Sequence, residues 1–422
     1  MKLPSEWEMK TLGELGTCHI GLTYKPDNVV PEGGALVLRS SNIQQSRLVF
    51  DDNVFVNMDV PSKLKVCYGD ILICVRNGSR SLIGKSAVIE REHAIENLTF
   101  GAFMSVYRTD HHDYVRHLFH SDMYYRQIRN NLGATINQIT NKNLNNFTFP
   151  FPKSSAERNK ISEVLSTIDK KIDLIDQKIA ETEKLKTGLM QKLFSEGVGV
   201  QDDNGEWQPH TEFQDNGLPM HWSFLKLGSV AKVTSGGTPS RKKASFWENG
   251  TIPWITTGEV NFNCITNSSQ KITDEGLKNS AAKMFPPDTI LMAMYGQGQT
   301  RGRVAMLGIE ASTNQACAGI ICSKKLNPHF CYHYLSSQYE KIRTIGNEGS
   351  QKNLNGQIIK DILIPCPNLE EQEQIALVLS TVDEKITLLA KQKSETQKLK
   401  KGLMQKLLTG EWRVPVEETE AA

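Results

Sequence analysis

Two long stretches of the chain carry hydrophobic residues in alternating steps of four and three, from position 161 and from position 375. This is the spacing of the seam of a coiled coil, so each stretch predicts a long helix that packs on another helix. Pro152 and Pro367 precede the stretches, and residues 154–157 offer capping hydroxyls and an acidic first turn. The predicted seam positions are Ile161, Leu165, Ile168, Ile172, Ile175 and Ile179 in the first stretch and Ile375, Leu379, Val382, Ile386 and Leu389 in the second.

The second stretch repeats the first. Residues 157–194 and 371–408 share 21 identities in 38 positions without a gap, and the phrase KTGLMQKLF returns as KKGLMQKLL 214 residues later. Upstream, LPSEWEMKTLGEL is matched by LPMHWSFLKLGSV, so the chain is two tandem copies of one plan. A helix from about residue 155 to residue 196 would be roughly 60 Å long, too long for an ordinary globular helix. We expect the two helices to pack antiparallel, with Ile168 and Ile172 near Val382 and Ile386. The alternative is that each seam docks on its own domain.

The segments before the helices have a different pattern. Short runs rich in β-branched and aromatic residues, such as ALVLRS, GDILICVR and FGAFMSVY, are separated by Gly, Asn and Ser clusters, which predicts strands and turns. TIPWITTG, DTILMAMYG, RVAML and CAGIIC follow in the same order in the second copy, and a helical stretch then ends each segment. Each segment is therefore expected to be a mixed α+β domain of about 150 residues.

Composition narrows the class of protein. Lys and Arg number 49 against 47 Asp and Glu, so the net charge of +2 neither requires nor excludes a polyanionic partner. The eight cysteines form no CxxC pair and no His-containing metal motif, which predicts reduced core thiols and no metal site. No apolar run approaches the roughly 20 residues of a membrane span. We expect a soluble cytoplasmic protein with no membrane partner.

Motifs that could carry catalysis fail on inspection. GSRSLIGKS, at residues 78–86, resembles a phosphate-binding loop but has the wrong glycine spacing, and the second copy has no Lys-Ser there. NPHF at residue 327 resembles the base-holding loop of amino-methyltransferases, yet no Gly-rich cofactor loop precedes it, so a turn before a helix is the better interpretation. No cofactor and no catalytic residues are predicted, although a triad assembled only in space would escape a sequence reading.

Polar and basic turns remain, at matching places in both copies. Arg, Lys, Asn and Gln suit base edges, while Ser, Thr and backbone amides suit phosphates, so these turns are candidate DNA contacts, with solvated loops as the alternative for any one residue. The candidates are Arg39, Ser41, Asn42, Arg76, Asn77, Arg80 and Lys85 in the first copy and Arg241, Lys242, Lys243, Thr256, Thr257, Gln297, Gln299, Thr300, Arg301 and Arg303 in the second.

The constant helices carry EQEQIALVLSTVDEKI and KKGLMQKLLTGEWR, and the variable segments carry GDILI and TRGRV. In these features the chain resembles the specificity subunits of type I restriction-modification systems. The resemblance implies an α+β fold of two tandem target-recognition domains, separated and followed by long helices that form an antiparallel coiled coil with pseudo-twofold symmetry. It also implies double-stranded DNA, two adenine methyltransferase (modification) subunits and restriction-motor subunits as partners. The expected division is 1–152 and 198–367 for the domains, 153–197 and 368–410 for the helices, and 411–422 for a tail.

The function implied is non-catalytic reading of a bipartite asymmetric site, one half for each domain, with the helices setting the spacer and docking the methyltransferase. Two alternatives stay open from the residues: a fused or stand-alone methyltransferase or nuclease with unrecognised catalytic residues, and a coiled-coil scaffold that binds no DNA. Half-sites one helical turn apart predict about six or seven unread base pairs. We expect four residues inserted after Phe194 to lengthen that gap by one or two base pairs.

Overall fold

The computed structural model describes residues 3–93, 97–133, 137–296, 299–345 and 353–415. The chain forms two compact units: unit 1 contains residues 1–176 and 391–422, and unit 2 contains residues 177–390. Each unit holds one variable segment together with part of each long helix.

The helices include two that are much longer than the rest. Their bounds are α1 (Leu12–Leu15), α2 (His112–Leu118), α3 (Asp122–Asn131), α4 (Asn141–Asn145), α5 (Ser155–Leu193), α6 (Leu227–Val230), α7 (Asp274–Lys278), α8 (Pro328–Ser337), α9 (Tyr339–Thr344), α10 (Gly356–Lys360) and α11 (Leu369–Leu407).

The strands are short and fall in the same order in both units. In unit 1 they are β1 (Trp7–Thr11), β2 (Thr17–Ile20), β3 (Val29–Val30), β4 (Ala35–Leu38), β5 (Ile43–Gln44), β6 (Arg47–Leu48), β7 (Phe55–Val56), β8 (Ile71–Cys74), β9 (Ser86–Val88), β10 (Leu98–Phe100), β11 (Met104–Arg108) and β12 (Thr148–Pro152). In unit 2 they are β13 (Val200–Gln201), β14 (Trp207–Gln208), β15 (Ser223–Lys226), β16 (Ala231–Ser235), β17 (Ile252–Ile255), β18 (Cys264–Ile265), β19 (Lys271–Ile272), β20 (Met284–Phe285), β21 (Ile290–Ala293), β22 (Val304–Leu307), β23 (Ala311–Thr313), β24 (Cys317–Cys322) and β25 (Leu363–Cys366).

Unit 1 has one mixed and one antiparallel four-stranded sheet. One has the order β10-β4-β7-β3, with β10 and β4 parallel, and the other is antiparallel in the order β2-β11-β8-β9. A separate pair, β1 with β12, brings the start of the variable segment to its end. The predicted strands ALVLRS, GDILICVR and FGAFMSVY correspond to β4, β8 and β11, which confirms the strand reading of this segment.

Unit 2 repeats this plan with one five-stranded sheet, in the order β16-β24-β21-β22-β18, and one four-stranded sheet, in the order β19-β17-β23-β20. Strands β15 and β25 form the pair that corresponds to β1 and β12. The single helical stretch expected near the end of each variable segment is broken in both units, into α2 and α3 and into α8 and α9. In unit 1 the break comes at Ser121, whose hydroxyl accepts from the backbone N–H of Tyr124 and starts a new helix.

The two long helices each run for 39 residues, which is about 58 Å at 1.5 Å per residue. Both begin within three residues of the predicted proline. Oγ of Ser154 accepts from the N–H of Glu157 at 3.3 Å, and Oδ1 of Asn368 accepts from the N–H of Glu371 at 2.8 Å. The predicted starts and the predicted serine cap are therefore confirmed.

A hydrophobic core in each unit receives the start of one long helix and the end of the other. In unit 1, Ile161 and Leu165 near the start of α5 share a core with Met404 and Leu407 near the end of α11. In unit 2, residues 375 and 379 of α11 occupy the same places, together with residue 193 at the end of α5 and residue 194 just after it. Each helix end is thus anchored in a folded domain. The buried seam positions are Ile161, Leu165, Ile172, Ile175, Ile375 and Leu379, and Ile168, Ile179, Val382, Ile386 and Leu389 are partly buried.

Ion pairs define the direction and register of the helices within each unit. In unit 1, Asp169 binds Lys400 at 2.5 Å and Asp176 binds Lys393 at 2.5 Å, so seven residues forward in α5 match seven residues back in α11. The segments are therefore antiparallel. The predicted contact of Ile168 and Ile172 with Val382 and Ile386 is wrong, because Ile172 lies between these two ion pairs and faces the 393–400 segment. The heptad pattern alone could not show this, because every heptad of a seam offers the same apolar pair.

Unit 2 contains the repeat-equivalent ion pair. Nζ of Lys186 lies 2.5 Å from the carboxylate of Asp383. Lys186 is the repeat equivalent of Lys400, and Asp383 is the repeat equivalent of Asp169, each at an offset of 214 positions. The buried histidines of the domains are matched in the same way: Nε2 of His117 lies 3.3 Å from the Ser166 hydroxyl in unit 1, and Nε2 of His333 lies 3.1 Å from Ser380 in unit 2. Each domain therefore seats one helix, α2 or α8, on its long helix through the same kind of contact.

Buried glutamates make a second attachment that is repeated in both units. Glu157, in the first turn of α5, accepts from the indole N–H of Trp7 at 3.2 Å and from the guanidinium of Arg413. Its equivalent, Glu371, accepts from the indole N–H of Trp222 at 2.9 Å and from the segment that precedes that tryptophan. In both units a tryptophan at or just before the strand that opens the repeated plan, Trp7 in β1 and Trp222 before β15, is tied to the first turn of a long helix.

Three smaller features concern the cysteines, the glycines Gly188 and Gly402 of the long helices, and the apolar character of the helices. Cys67 and Cys264 are exposed, so the cysteines are free thiols but not all core residues. A Cβ atom at Gly188 or Gly402 would meet nothing within 4 Å, which excludes a close intramolecular backbone contact as the reason for either glycine. Across the described part of the chain, none of the helices combines the length and the apolar character needed to cross a membrane.

Candidate nucleic-acid interface

Equivalent turns follow β4 in unit 1 and β17 in unit 2. In unit 1 the backbone N–H of Arg39 donates to Oδ1 of Asn42 at 2.9 Å, and in unit 2 the N–H of Thr256 donates to Oε2 of Glu259 at 2.8 Å. A side chain that returns to the backbone three residues earlier closes a short 3₁₀ turn. The frame of the turn is therefore the same in both units while the residues that it presents differ.

Ser40 joins the candidate loops of unit 1. Its hydroxyl accepts from Nδ2 of Asn77 at 3.0 Å, and its carbonyl accepts from Nζ of Lys85 at 3.5 Å. Asn77 in turn accepts from the N–H of Ser79, and Asn137 donates to the carbonyl of Gly78 at 2.9 Å. The turn at 39–42, the loop at 76–80 and Lys85 thus form one surface, which a third loop at 137–138 completes.

The candidates on this surface differ in accessibility. Asn42 is fully buried, and its amide donates to the carbonyl of Val49 at 3.0 Å, so it supports the turn and cannot reach DNA. Arg39 forms an ion pair with Asp52 at 2.8 Å. Arg76 and Arg80 are exposed, with the guanidinium of Arg76 5.1 Å from the ring centre of Phe103. Ser41 and Lys85 are partly buried.

In unit 2 the turn after β17 is built around Glu259. Its carboxylate accepts from the hydroxyl of Thr256 at 3.1 Å, from that of Ser268 at 3.0 Å and from the N–H of Ser269 at 2.9 Å. Desolvation raises the pKa of Glu259, but these hydrogen bonds outweigh it and hold the pKa below its ordinary value. Glu259 is therefore an ionised structural acceptor, and Thr257, partly buried like Thr256, is the threonine of this turn whose hydroxyl is not bonded to Glu259.

The second loop of unit 2 reaches the same region. Nη1 of Arg303 donates to Oδ1 of Asn261 at 2.8 Å, which ties residue 303 to the chain just beyond the Glu259 turn. The hydroxyl of Tyr339 donates to the carbonyl of Gln299. Gln299 is exposed, and Thr300, Arg301 and Arg303 are partly buried. Gln297 lies outside the described residues.

The third loop of unit 2 carries exposed Arg241, Lys242 and Lys243. The guanidinium of Arg241 lies 3.6 Å from the ring centre of Trp247 and 4.9 Å from that of Trp254, and Nζ of Lys243 lies 4.9 Å from the Phe246 ring centre. Trp254 belongs to β17, so this loop stands beside the turn at 256–259.

Several residues that shape these surfaces escaped the sequence analysis. They are Ser40 and Asn137 in unit 1 and Trp247, Trp254 and Gln270 in unit 2. Asn137 and Gln270 come from loops far along the chain, so spacing gave no sign of them. The segment WENGTIPW, with a tryptophan at each end of a turn and strand, was a usable signal because a surface with paired indoles is unusual.

Two copies of one α+β domain, each with a cluster of polar loops and a share of two long helices, define a two-domain recognition scaffold. Within the described ranges, no group of three His, Cys, Asp or Glu side chains is placed to hold a metal ion. The chemistry of both surfaces is that of hydrogen bonding and positive charge.

Comparison with known proteins identifies the class further. The family model described as the type I restriction modification DNA specificity domain matches residues 4–184 and again residues 219–398. The chain belongs to this family of specificity subunits. The two matches confirm the tandem repeat and the prediction of a DNA-specificity subunit rather than a catalytic subunit.

Relatives match along nearly the whole length. The putative type I restriction enzyme MjaX specificity subunit of Methanocaldococcus jannaschii is 27% identical over 429 residues, covering 98% of this chain and 95% of that protein. The EcoKI specificity subunit of Escherichia coli K12 is 24% identical, covering 98% and 91%. The type I system S subunit from M. genitalium has a similar fold, with a TM-score of 0.59, 17% identity and coverage of 97% and 98%.

Proposed function

We propose that this protein reads a bipartite double-stranded DNA site, with one half-site bound by the loops of unit 1 and the other by the loops of unit 2. The observation that carries the proposal is the pair of equivalent turns, 39–42 and 256–259, which share a hydrogen-bonded frame and present different side chains. A common frame with different reading residues suits two halves of an asymmetric sequence. The division into two domains (1–152 and 198–367), two helices (153–197 and 368–410) and a tail (411–422) belongs to this proposal.

Exchanging one domain tests this assignment. Residues 1–152 of this chain are replaced by those of a relative with another target, so that β1 and β12 move together as a pair. The methylated sequence of the complex is then determined. One half of the site is expected to change while the other half is retained. A change in both halves would contradict the assignment of one half-site to each domain.

We further propose that two adenine methyltransferase subunits bind at repeat-equivalent surfaces of the helices, and that restriction-motor subunits join the complex that results. Leu174 and Leu388 are 57% and 66% exposed, and Leu185 and Leu399 are 54% and 56% exposed, with 214 positions between the members of each pair. Exposed leucines that occur twice at equivalent positions support one partner bound twice. The open positions at Gly188 and Gly402 lie three residues after the second leucine pair and leave room for a partner's backbone.

Grooves beside these residues support the same partner. The groove of unit 2 has a volume of about 520 Å³ and includes Met190 and Gln191, and that of unit 1 has about 450 Å³ and includes Met404 and Gln405. These four residues come from the repeated phrase GLMQKL. Met190 is partly buried and flexible, which suits a surface that must accept a partner side chain, whereas Met404 is 6% exposed and lines its groove from the core of unit 1.

The number of bound methyltransferase subunits, measured by native mass spectrometry, tests the docking surfaces. Leu399→Glu is expected to reduce the count from two to one, and Leu185→Glu with Leu399→Glu is expected to reduce it to none. Leu377→Glu is the matched control, because Leu377 is 59% exposed on the same helix but Glu163 stands at its equivalent position. A count of two in the double variant would contradict these surfaces.

A further inference from the structure

Arg241 is exposed to solvent yet held in one orientation. Its guanidinium stacks on Trp247 with 3.6 Å to the ring centre, and Nη2 donates to Oε1 of Gln270 at 2.6 Å. Stacking engages the face of the guanidinium and leaves its in-plane N–H groups at the edge. This packing has already removed much of the rotamer freedom that an arginine side chain has in solution.

The loop that carries Arg241 is fixed as well. The indole N–H of Trp254 donates to the carbonyl of Gly237 at 2.9 Å, and that of Trp247 donates to the carbonyl of Ser240 at 3.1 Å. The two indoles meet edge to face, with ring centres 5.0 Å apart. Each tryptophan therefore supports Arg241 in two ways: its ring packs against the guanidinium, and its indole N–H holds the backbone that precedes Arg241.

Gln270 connects this arginine to the candidate recognition turn. The backbone carbonyl of Gln270 accepts from the backbone N–H of Trp254 at 2.9 Å. The neighbouring Ser269 donates its backbone N–H to the carboxylate of Glu259 in the turn. The edge of Arg241 and the turn at 256–259 therefore belong to one rigid surface. In unit 1 the turn that corresponds to 256–259 carries Arg39. The guanidinium of Arg39 differs from that of Arg241 because it is paired with the carboxylate of Asp52.

We propose that Arg241 reads a guanine in the major groove of the half-site bound by unit 2, and that Trp247, Trp254 and Gln270 are positioning residues for it. This inference rests on the proposed function. A phosphate contact needs only positive charge and accepts many side-chain orientations, whereas a bidentate contact to O6 and N7 of guanine needs a planar fork held in place. The stacked, hydrogen-bonded arrangement satisfies the second requirement.

Base preferences measured on a DNA library with randomised half-sites test the proposal, with the complex of the protein and methyltransferase subunits as the binding species. Arg241→Gln and Arg241→Lys are compared with Lys242→Gln, which removes the same charge from the neighbouring exposed position. Both Arg241 variants are expected to lose about tenfold to a hundredfold of the preference for guanine at one position. The lysine variant is expected to keep affinity at low salt. Lys242→Gln is expected to weaken all sequences equally.

Trp247→Leu separates positioning from folding. It retains Arg241, so a loss of preference at the same base, with an unchanged consensus elsewhere, supports the positioning role. A uniform loss of affinity in Arg241→Gln, like that of Lys242→Gln, overturns the proposal in favour of a phosphate contact. An unchanged consensus in both Arg241 variants also overturns it. Absence of sequence-specific binding by the wild-type complex is a different outcome, because it refutes the proposed function itself.

Discussion

The two buried glutamates give a sharp test of how the domains are attached to the long helices. Glu157 and Glu371 occupy equivalent positions and are 0% and 2% exposed, yet their partners differ. Four donors point at Glu371: the indole N–H of Trp222, the backbone N–H groups of Val198 and Gly199, and Nε2 of His210, all within 3.1 Å. We consider replacement of each glutamate by alanine.

The expected losses differ because different donors are left behind. Glu371→Ala leaves the N–H groups of Trp222, Val198 and Gly199 without their acceptor in a buried site, at about 1–3 kcal/mol each. We expect the free energy of unfolding of unit 2 to fall by the sum, about 3–9 kcal/mol. Glu157→Ala strands only the indole N–H of Trp7, because the 41%-exposed Arg413 side chain retains Glu6 and gains water. The expected loss in unit 1 is about 1–3 kcal/mol.

Thermal unfolding followed by tryptophan fluorescence measures both losses, since Trp7 and Trp222 sit at the two altered sites. For domains of this size, each kcal/mol lowers Tm by about 2–4 °C. Glu371→Gln is the matched control, because it keeps an acceptor oxygen and nearly the same volume, and its loss should fall between those of wild type and Glu371→Ala. Equal losses for the two alanine variants, or a larger loss for Glu157→Ala, would refute the counting of stranded donors.

Three further predictions concern the helices and the buried histidines. Ile172→Asp places a carboxylate at a 7%-exposed position and is expected to destabilise unit 1 by several kcal/mol in urea unfolding. Leu174→Asp, at a 57%-exposed position, should change the free energy of unfolding by less than about 1 kcal/mol. Equal effects of the two variants would argue against the seam. Burial, reinforced by Lys186, lowers the pKa of His333 to about 3, below the value of about 6.5 expected in the unfolded chain. The unfolded chain therefore binds more protons, and the free energy of unfolding should fall by up to about 1.4 kcal/mol per pH unit as pH drops from 6.5 toward 3. His333→Gln should flatten this dependence, and an unchanged slope would contradict the assignment. Four residues inserted after Phe194 should leave the unread gap unchanged, contrary to the expectation from sequence, because Phe194 is packed on Phe330 and Tyr334 in the core of unit 2. Four residues inserted into the middle of both helices lengthen each by about 6 Å and should lengthen the gap preferred in a methylation library by one or two base pairs. An unmoved optimum would show that the helices do not set the gap.

The sequence predicted the helices well because their signals are local and repeated. Heptad spacing, a preceding proline and a capping serine all act within one or two turns, and duplication supplied each signal twice. The strands of the variable segments were predictable for a similar reason, since β-branched runs end at Gly and Asn turns. The buried Glu157 and Glu371 could also have been found, because Trp7 and Trp222 stand at nearly the same offset as the two glutamates.

The candidate interface was less accessible to sequence reasoning. Asn42 has the residue type of a base reader, but a short amide that can close its own turn is equally suited to burial, and only the fold decides between these roles. The joining of loops 76–80 and 137–138, or of Arg241 with Gln270, depends on strand order in the sheets. Strand order is a long-range property that no local pattern contains.

The register of the helices shows what duplication can and cannot specify. An apolar seam allows a partner to slide by a heptad with little change in packing, because each heptad offers the same type of surface. Asp169 with Lys400, and Lys186 with Asp383, fix the same register independently in the two units because the repeat carries both partners of the pair to both places. Asp176 with Lys393 has no such counterpart, since Ala390 and Ile179 stand at the equivalent positions. The duplicated ion pair therefore sets the register in both copies, whereas the unmatched pair adds to it in unit 1 alone.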